Sequence, residues 1–216
     1  RSIKNIDGII LKSKSPSCAI TTSKYYSSID IKDIKVRGVG LFASQLIDRF
    51  PNIPKQEETG LSDRLVREYF YTSIFVMADF RTVKTIKNLY DFHEKHKLLF
   101  MTYNQIQLKA LGRVAVNRDG KTIDEVLNAY FNNLQKIFKR KPRYISHINT
   151  QMHAFGYYKK ELSKEEKQDF LYLLEGYRNK KINLSAINSI FRSWNVRFKN
   201  QYLLNQSYFA PYPENL

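Results

Sequence analysis

The chain is poor in the residues that build covalent or metal-held frameworks, with one cysteine, Cys18, among 216 residues. A single thiol excludes an intrachain disulfide and any closed Cys-rich zinc site, so metal chemistry from this chain alone would fall to histidine and carboxylate. Long apolar runs are missing too. No stretch of about 18 apolar residues occurs, and no charged segment leads into an apolar one as in a signal peptide. A cytoplasmic protein without a membrane span is therefore expected. Internal repeats, low-complexity segments and long linkers are also absent. The first residue is Arg1 rather than Met, and an apolar run follows within a few residues, so further residues are expected upstream.

What is present is a core-forming composition, 43% hydrophobic and 14% aromatic, enough for one domain or two small ones. Net charge is +16 and unevenly spread. Residues 1–80 hold 12 Lys/Arg against 9 Asp/Glu, while residues 81–216 hold 24 against 11, so +13 of the total lies in the second part. Such a field favours an extended polyanion, because each phosphate contact releases condensed counterions and the gain accumulates. Nucleic acid is the expected partner, with aromatics and histidines interleaved among the cations. The bland alternative is charge kept for solubility.

Along the chain, Ile9-Ile10-Leu11 reads as a buried strand within residues 5–12, ended by turn chemistry at Ser15-Pro16-Ser17. This places Cys18 in the loop after the strand, where open α/β sheets seat ligands; a small core thiol is the alternative. Residues 20–37 read as loop. Gly38 and Gly40 precede a helix over Leu41 to Phe50, with Phe42, Leu46 and Phe50 on one face and Pro51 beyond. The glycine pair suits either an anion at the helix N-terminus or merely a tight turn. Ser62 is expected to cap a helix running to about Asp79.

From about Arg81 the pattern is helix after helix. One helix is expected over Thr85 to Tyr103, with His93 and His96 in its apolar stripe and Lys97 beside them. They are either core histidines or a pair lining a pocket. Asn104 to Val116 carries Lys109 and Arg113, and Asn117 to Gly120 turns the chain. Thr122 to Glu125 is a capping box for a helix to about Arg140. Lys139, Arg140, Lys141 and Arg143 then form a basic knot suited to a helix C-terminus or a phosphate backbone.

The stretch Tyr144 to Lys160, wound at roughly 100° per residue, puts Ile145, Ile148, Met152 and Phe155 on one face, expected to be buried. Asn149, His153, Gly156 and Lys160 fall on an adjoining stripe; His147, Gln151 and Tyr158 lie on the other side. This reads as the wall of a polar pocket or basic groove. His147 and His153 lie about 120° apart, poor geometry for a shared metal. Ser163 caps a further helix with Phe170, Leu173, Leu174 and Tyr177 inward, another begins at Ser185, and the aromatic tail from Tyr202 packs back across the bundle.

The motifs Asp91 to Leu99, Leu111-Gly112-Arg113, Gly156 to Leu162, Tyr177-Arg178 and Tyr208 to Leu216 occur in the order of YbgA-like helical domains, which residues 82–216 resemble. Upstream, Asp7 to Cys18, Gly38 to Ala43, Phe50-Pro51 and Arg67-Glu68 resemble the second half of a TudS-like thiouracil desulfurase domain. The tandem is similar to the RudS-like proteins, which remove sulfur from 4-thiouridine in tRNA. Departures from those motifs are Ala19 after the cysteine, Thr59-Gly60, and Tyr212 in the tail.

The resemblance implies a mixed fold: a truncated α/β part over residues 1–80, then a larger all-α helical domain over residues 81–216. It implies a four-iron, four-sulfur cluster for which Cys18 is one ligand, with Ser15 beside the substrate. The remaining cluster cysteines would lie outside this chain, leaving it inactive by itself. The helical domain would engage tRNA through His93, His96, Lys97, Arg113, Lys139, Arg140, Lys141 and Arg143. His147, Asn149, His153, Lys159, Lys160 and Arg178 complete that set. The rival expectations are a non-enzymatic nucleic-acid-binding protein with a degenerate desulfurase domain, and a helical enzyme using the four histidines directly.

Overall fold

The computed structural model describes residues 6–26 and 34–213. Residues 27–33 of the expected loop, Asn5 at the start of the first strand and Glu214 to Leu216 of the tail motif lie outside them. The chain divides into two compact units, residues 1–82 and 83–216.

In the first unit, strand β1 (Ile9–Leu11) pairs in parallel with β4 (Lys55–Glu57), Ile9 opposite Lys55 and Leu11 opposite Glu57. Helix α1 (Leu41–Arg49) lies between them in sequence. Part of the expected loop is instead an antiparallel ribbon of β2 (Ser23–Tyr26) and β3 (Ile34–Gly38). Its residues Ser-Lys-Tyr-Tyr and Ile-Lys-Val-Arg-Gly mix polar side chains into β-formers, which hides a short solvated strand from a search for apolar runs. Helix α1 turns a different face inward from the one expected: Ala43 is buried, while Leu41 and Phe42 are 76% and 47% exposed. Helix α2 (Arg64–Phe80) is capped by Asp63, not Ser62, because the Asp63 carboxylate accepts from Val66 N–H at 3.0 Å. Ser62 instead ends a short 3-10 turn, Glu58–Ser62.

The second unit contains eight helices among the described residues. The segment expected as one helix is two, α3 (Ile86–Lys95) and α4 (Lys97–Tyr103), with His96 at the break in a non-helical conformation. The break leaves main-chain groups without helical partners. Gln206, from the tail, supplies them: its Oε1 accepts from Leu98 N–H at 3.0 Å and its Nε2 donates to the Glu94 carbonyl at 2.7 Å. Ser207 N–H donates to the Lys95 carbonyl at 3.0 Å. Sequence spacing cannot show a splice that comes from more than a hundred residues away.

Helix α5 (Gln105–Val116) ends on Asn117 in the left-handed conformation, and α6 (Ile123–Ile137) starts with the Thr122/Glu125 capping box. Then come α7 (Tyr144–Tyr158), α8 (Lys164–Arg178, with a Ser163/Glu166 box), α9 (Leu184–Phe198) and the short α10 (Gln201–Leu204). Phe155 of α7 stacks on Phe170 of α8 at 4.5 Å, and Phe170, Phe191 and Trp194 close the cluster at 5.3 to 5.6 Å between centroids. Tyr208 and Phe209 of the tail are buried, Phe209 lying 5.2 Å from Phe191. No described helix is long and apolar enough to cross a membrane.

Candidate nucleic-acid interface

Helix α7 is rotated from its expected setting. Ile145 and Met152 are 74% and 42% exposed, whereas Ile148, Gln151, Phe155 and Tyr158 face inward. The physical reason is a buried polar network that accepts amide and imidazole in place of those two apolar side chains. Gln151 Nε2 donates to Asn188 Oδ1 at 2.8 Å and to the Tyr208 hydroxyl at 3.2 Å, and His147 Nδ1 meets the same hydroxyl at 3.1 Å. Thr150 pairs with Thr102 of α4 at 2.7 Å, tying α7 to its neighbour. A buried network of this kind favours one helix rotation, because any other setting breaks the bonds of the Gln151 amide nitrogen and of His147, although Gln151 Oε1 itself has no partner in it. His153, Gly156, Lys159 and Lys160 consequently face solvent, with Asn149 half-buried at the edge of the same stripe.

The four histidines separate by environment. His96 is 2% exposed and its Nδ1 shares a 2.7 Å hydrogen bond with Ser207 Oγ. Its place is therefore in the core splice, away from any ligand-bearing surface. His93 Nδ1 lies 2.8 Å from the Tyr130 hydroxyl; burial first, then the charges of Lys97 and His96, lower its pKa to about 4. Burial alone brings His147 down to about 4. Both are neutral at pH 7, so they add no charge to the field expected of them. His153 is the exposed one. Among the described residues, no three His, Cys, Asp or Glu side chains come together as metal ligands.

The cations stand outside this core. Lys97, Arg113, Lys139, Arg140, Lys141, Arg143, Lys159, Lys160 and Arg178 are all exposed. Arg178 is held by Glu175 at 2.8 Å, a surface pair of the kind worth less than about 1 kcal/mol. The knot expected to end α6 in fact follows it: the helix stops at Ile137, and Lys139 to Arg143 form the link into α7 around a buried Pro142. At the other end of α6, Lys109, Arg113, Arg118 and Lys121 line one open groove of about 780 Å³ with Val116 and Ala129. The sequence names Lys109 and Arg113 as one helix face, but that Arg118 and Lys121 join them follows only from the shape of the turn.

In the first unit, Ser15 and Cys18 sit in one tight turn. Ser15 Oγ accepts from Cys18 N–H at 3.1 Å and from Ser17 N–H at 3.3 Å, so the expected substrate-side hydroxyl is also the turn's own brace. Cys18 is a partly exposed free thiol. The N-terminus of α1 is committed to this turn: Leu41 N–H donates to the Pro16 carbonyl at 3.2 Å and Ala43 N–H to that of Ser17 at 3.0 Å. The turn-forming alternative for the glycine pair therefore holds at Gly40, where a Cβ would lie 2.3 Å from the Ser17 carbonyl.

Two carboxylates that belong to no motif in the sequence clamp the loop from the end of β4. Glu57 is buried; Ile20 and Thr21 N–H donate to its Oε1 at 2.7 and 2.8 Å, and the Thr22 hydroxyl to its Oε2 at 2.8 Å. Burial pushes its pKa up, and these bonds outweigh that and hold it below the usual carboxylate value. Glu58 takes Lys12 Nζ at 2.6 Å and Ser13 N–H at 2.6 Å, and the Lys12 contact foremost brings it down to about 2. No sequence signal links residues 57 and 58 to residues 12–22; only the parallel β1–β4 pairing does.

Comparison with known proteins gives three findings. The uncharacterized protein YbgA of Escherichia coli (strain K12) is 25% identical over 126 residues, 58% of this chain and 75% of that protein. No solved structure matches the chain. Residues 97–213, more than half of the chain, match the family described as "Protein of unknown function (DUF1722)", covering the helices from α4 to the tail that splices and packs them, and on that span the chain belongs to the DUF1722 family.

Proposed function

We propose that residues 83–216 bind tRNA through phosphate contacts, and that the chain is the RNA-holding part of a tRNA 4-thiouridine desulfidase of the RudS-like kind. The observation that carries the first half is charge: +13 of the net +16 lies in residues 81–216, on cations exposed over a core whose buried histidines His93 and His147 are neutral. Each such cation can displace counterions from a phosphate backbone. The desulfidase half rests on the motif resemblance, with the braced Ser15–Cys18 turn as its support.

A four-iron, four-sulfur cluster is held by cysteine thiolates. This chain has one cysteine, and no cluster of three potential ligands exists among the described residues, so the residues present do not fit that group. Cys18 would contribute one thiolate, and the others would come from outside these 216 residues. The same observation favours a second reading, a non-enzymatic RNA-binding protein whose first unit is degenerate.

The two readings part on one experiment. The protein, with any sequence preceding Arg1 in its gene, is reconstituted anaerobically with iron and sulfide, as wild type and as Cys18→Ser. Iron content, thiouridine loss from tRNA and tRNA affinity are then measured. The desulfidase reading expects bound iron and turnover in wild type, both lost in the variant while tRNA affinity is unchanged. Wild type that binds tRNA without iron supports the second reading; a variant with normal iron and turnover removes Cys18 from the function.

A further inference from the structure

The groove between α5 and α6 differs in charge from another cavity of its unit. That cavity, about 730 Å³ between α3 and α10, sets Asp91 and Glu94 against Lys95. The α5–α6 groove has four cations and one carboxylate, Asp119, already paired with Lys121 at 3.3 Å. Lys109 and Arg113 stand one helical turn apart on α5, and Arg118 follows from the turn. All three are exposed.

The turn that carries Arg118 is fixed before any ligand arrives. Asn117 is left-handed, its Oδ1 accepts Lys121 N–H at 2.9 Å and its Nδ2 donates to the Lys121 carbonyl at 2.8 Å. Gly120 follows with φ +64°, a conformation that suits glycine. The Thr122 box then locks the start of α6. A turn whose backbone is already fixed loses little main-chain freedom on binding, which raises the affinity that a given set of contacts delivers.

Between the cations the lining turns apolar. Val116, 51% exposed, and Ala129 both line the groove, whose volume of about 780 Å³ lies in the range that takes a small organic ligand. Behind Gly112, which carries no side chain, lies His93, whose Nε2 is 3.7 Å from where a Cβ would stand. An apolar slot with a polar edge at its back and cations at its mouth suits a planar base joined to a phosphate.

We infer that the α5–α6 groove seats one unstacked nucleotide of the bound RNA, its base against Val116 and Ala129 and its flanking phosphates on Lys109, Arg113 and Arg118. This rests on the RNA-binding reading above and adds a place and a chemistry to it. Sequence-tolerant recognition of unpaired RNA commonly combines a basic track with a surface for the base. The Lys139 to Arg143 link, at the far end of α6 and roughly 22 Å away by helix rise, takes a separate stretch of backbone.

The test uses the whole chain and an unmodified tRNA transcript, with three measurements: affinity, its salt slope, and competition by uridine monophosphate. Each lost phosphate contact on a single strand lowers the slope by about 0.7 and affinity about fourfold at 150 mM salt. Arg113→Gln/Arg118→Gln should therefore bind roughly 15-fold more weakly, with a slope smaller by about 1.4. Ala129→Phe, which fills the slot and removes no charge, should weaken binding at an unchanged slope. Thermal melting checks that both variants fold. If wild type binds tRNA and both variants match it, the groove is not the seat, while the RNA-binding reading stands. If Ala129→Phe alone matches wild type, phosphates are bound there without a base. If uridine monophosphate binds as tightly as tRNA, the occupant is a free nucleotide. If wild type binds no tRNA, the RNA-binding reading itself falls and takes this one with it.

Discussion

Replacing Gln206 by methionine should separate α3 from α4. Gln206 is 2% exposed, and its amide bonds two main-chain groups beside the break at His96: Leu98 N–H, and the Glu94 carbonyl, which the His96 N–H also reaches. Methionine keeps much of the volume and offers neither partner. Leaving the buried Leu98 N–H unsatisfied costs about 1–3 kcal/mol and losing the bond to the Glu94 carbonyl about 1 kcal/mol more, so the change should cost about 2–4 kcal/mol. Against a typical total of about 5–15 kcal/mol for a domain, that is a large fraction. Gln206→Glu should lie between, since a carboxylate still accepts from Leu98 but cannot donate to Glu94. Urea unfolding followed by fluorescence reads the right unit, because the single tryptophan, Trp194, lies in its aromatic core. The midpoint should fall with little change in the dependence on urea. A loss below about 0.5 kcal/mol in Gln206→Met would refute the splice, because surface substitutions without a structural role fall within that range.

Acid should loosen the two units in different windows. His93 and His147 have folded pKa values of about 4, below the unfolded value of about 6.5, so the unfolded chain binds more protons between them and stability is lost as pH falls from about 6.5 to 4. That shift amounts to about 3 kcal/mol for each histidine, read by Trp194 fluorescence. Glu57 and Glu58 are depressed carboxylates, so their contribution to the first unit is present above about pH 4.5 and is lost below it, visible as hydrogen exchange at residues 18–22 that speeds up only after the fluorescence change. Simultaneous loss in both units would contradict this. Gly40→Ala should destabilise the Cys18 turn by at least about 1 kcal/mol, since its Cβ would meet the Ser17 carbonyl, whereas Gly156→Ala on the open face of α7 should be neutral or slightly stabilising.

Local signals carried far in this sequence. The two capping boxes, the position of the strand at Ile9–Leu11 and most inward residues of α8 follow from periodicity and from side chains that act within one turn, whereas the strand is not buried throughout as expected, Ile10 being 55% exposed, and Leu173 is only half-buried. Reading failed where a distant group decided the outcome. The α3–α4 break depends on Gln206, and the rotation of α7 depends on Tyr208 and Asn188 receiving Gln151. Hydrophobicity put Ile145 and Met152 in the core because it assigns an amide to water, although a paired amide can replace an apolar side chain inside. For the candidate interface, charge density was legible, but its arrangement was not. The sequence marks the Lys139 to Arg143 knot because its charges are consecutive, whereas the groove cations on α5 and the following turn converge only once the turn closes.

The most direct measurement is the affinity of the whole chain for a tRNA transcript between 50 and 200 mM salt. Contacts by Lys109, Arg113, Arg118, Lys139, Arg140 and Arg143 would give a log–log slope of roughly −4 to −5, a weakening of about 250- to 1,000-fold over that range. A steep slope that flattens when Lys139 and Arg140 are changed to glutamate, with the melting temperature unmoved, is the expected result. Binding that ignores salt, or no binding at all, would contradict the assignment of this helical unit to RNA.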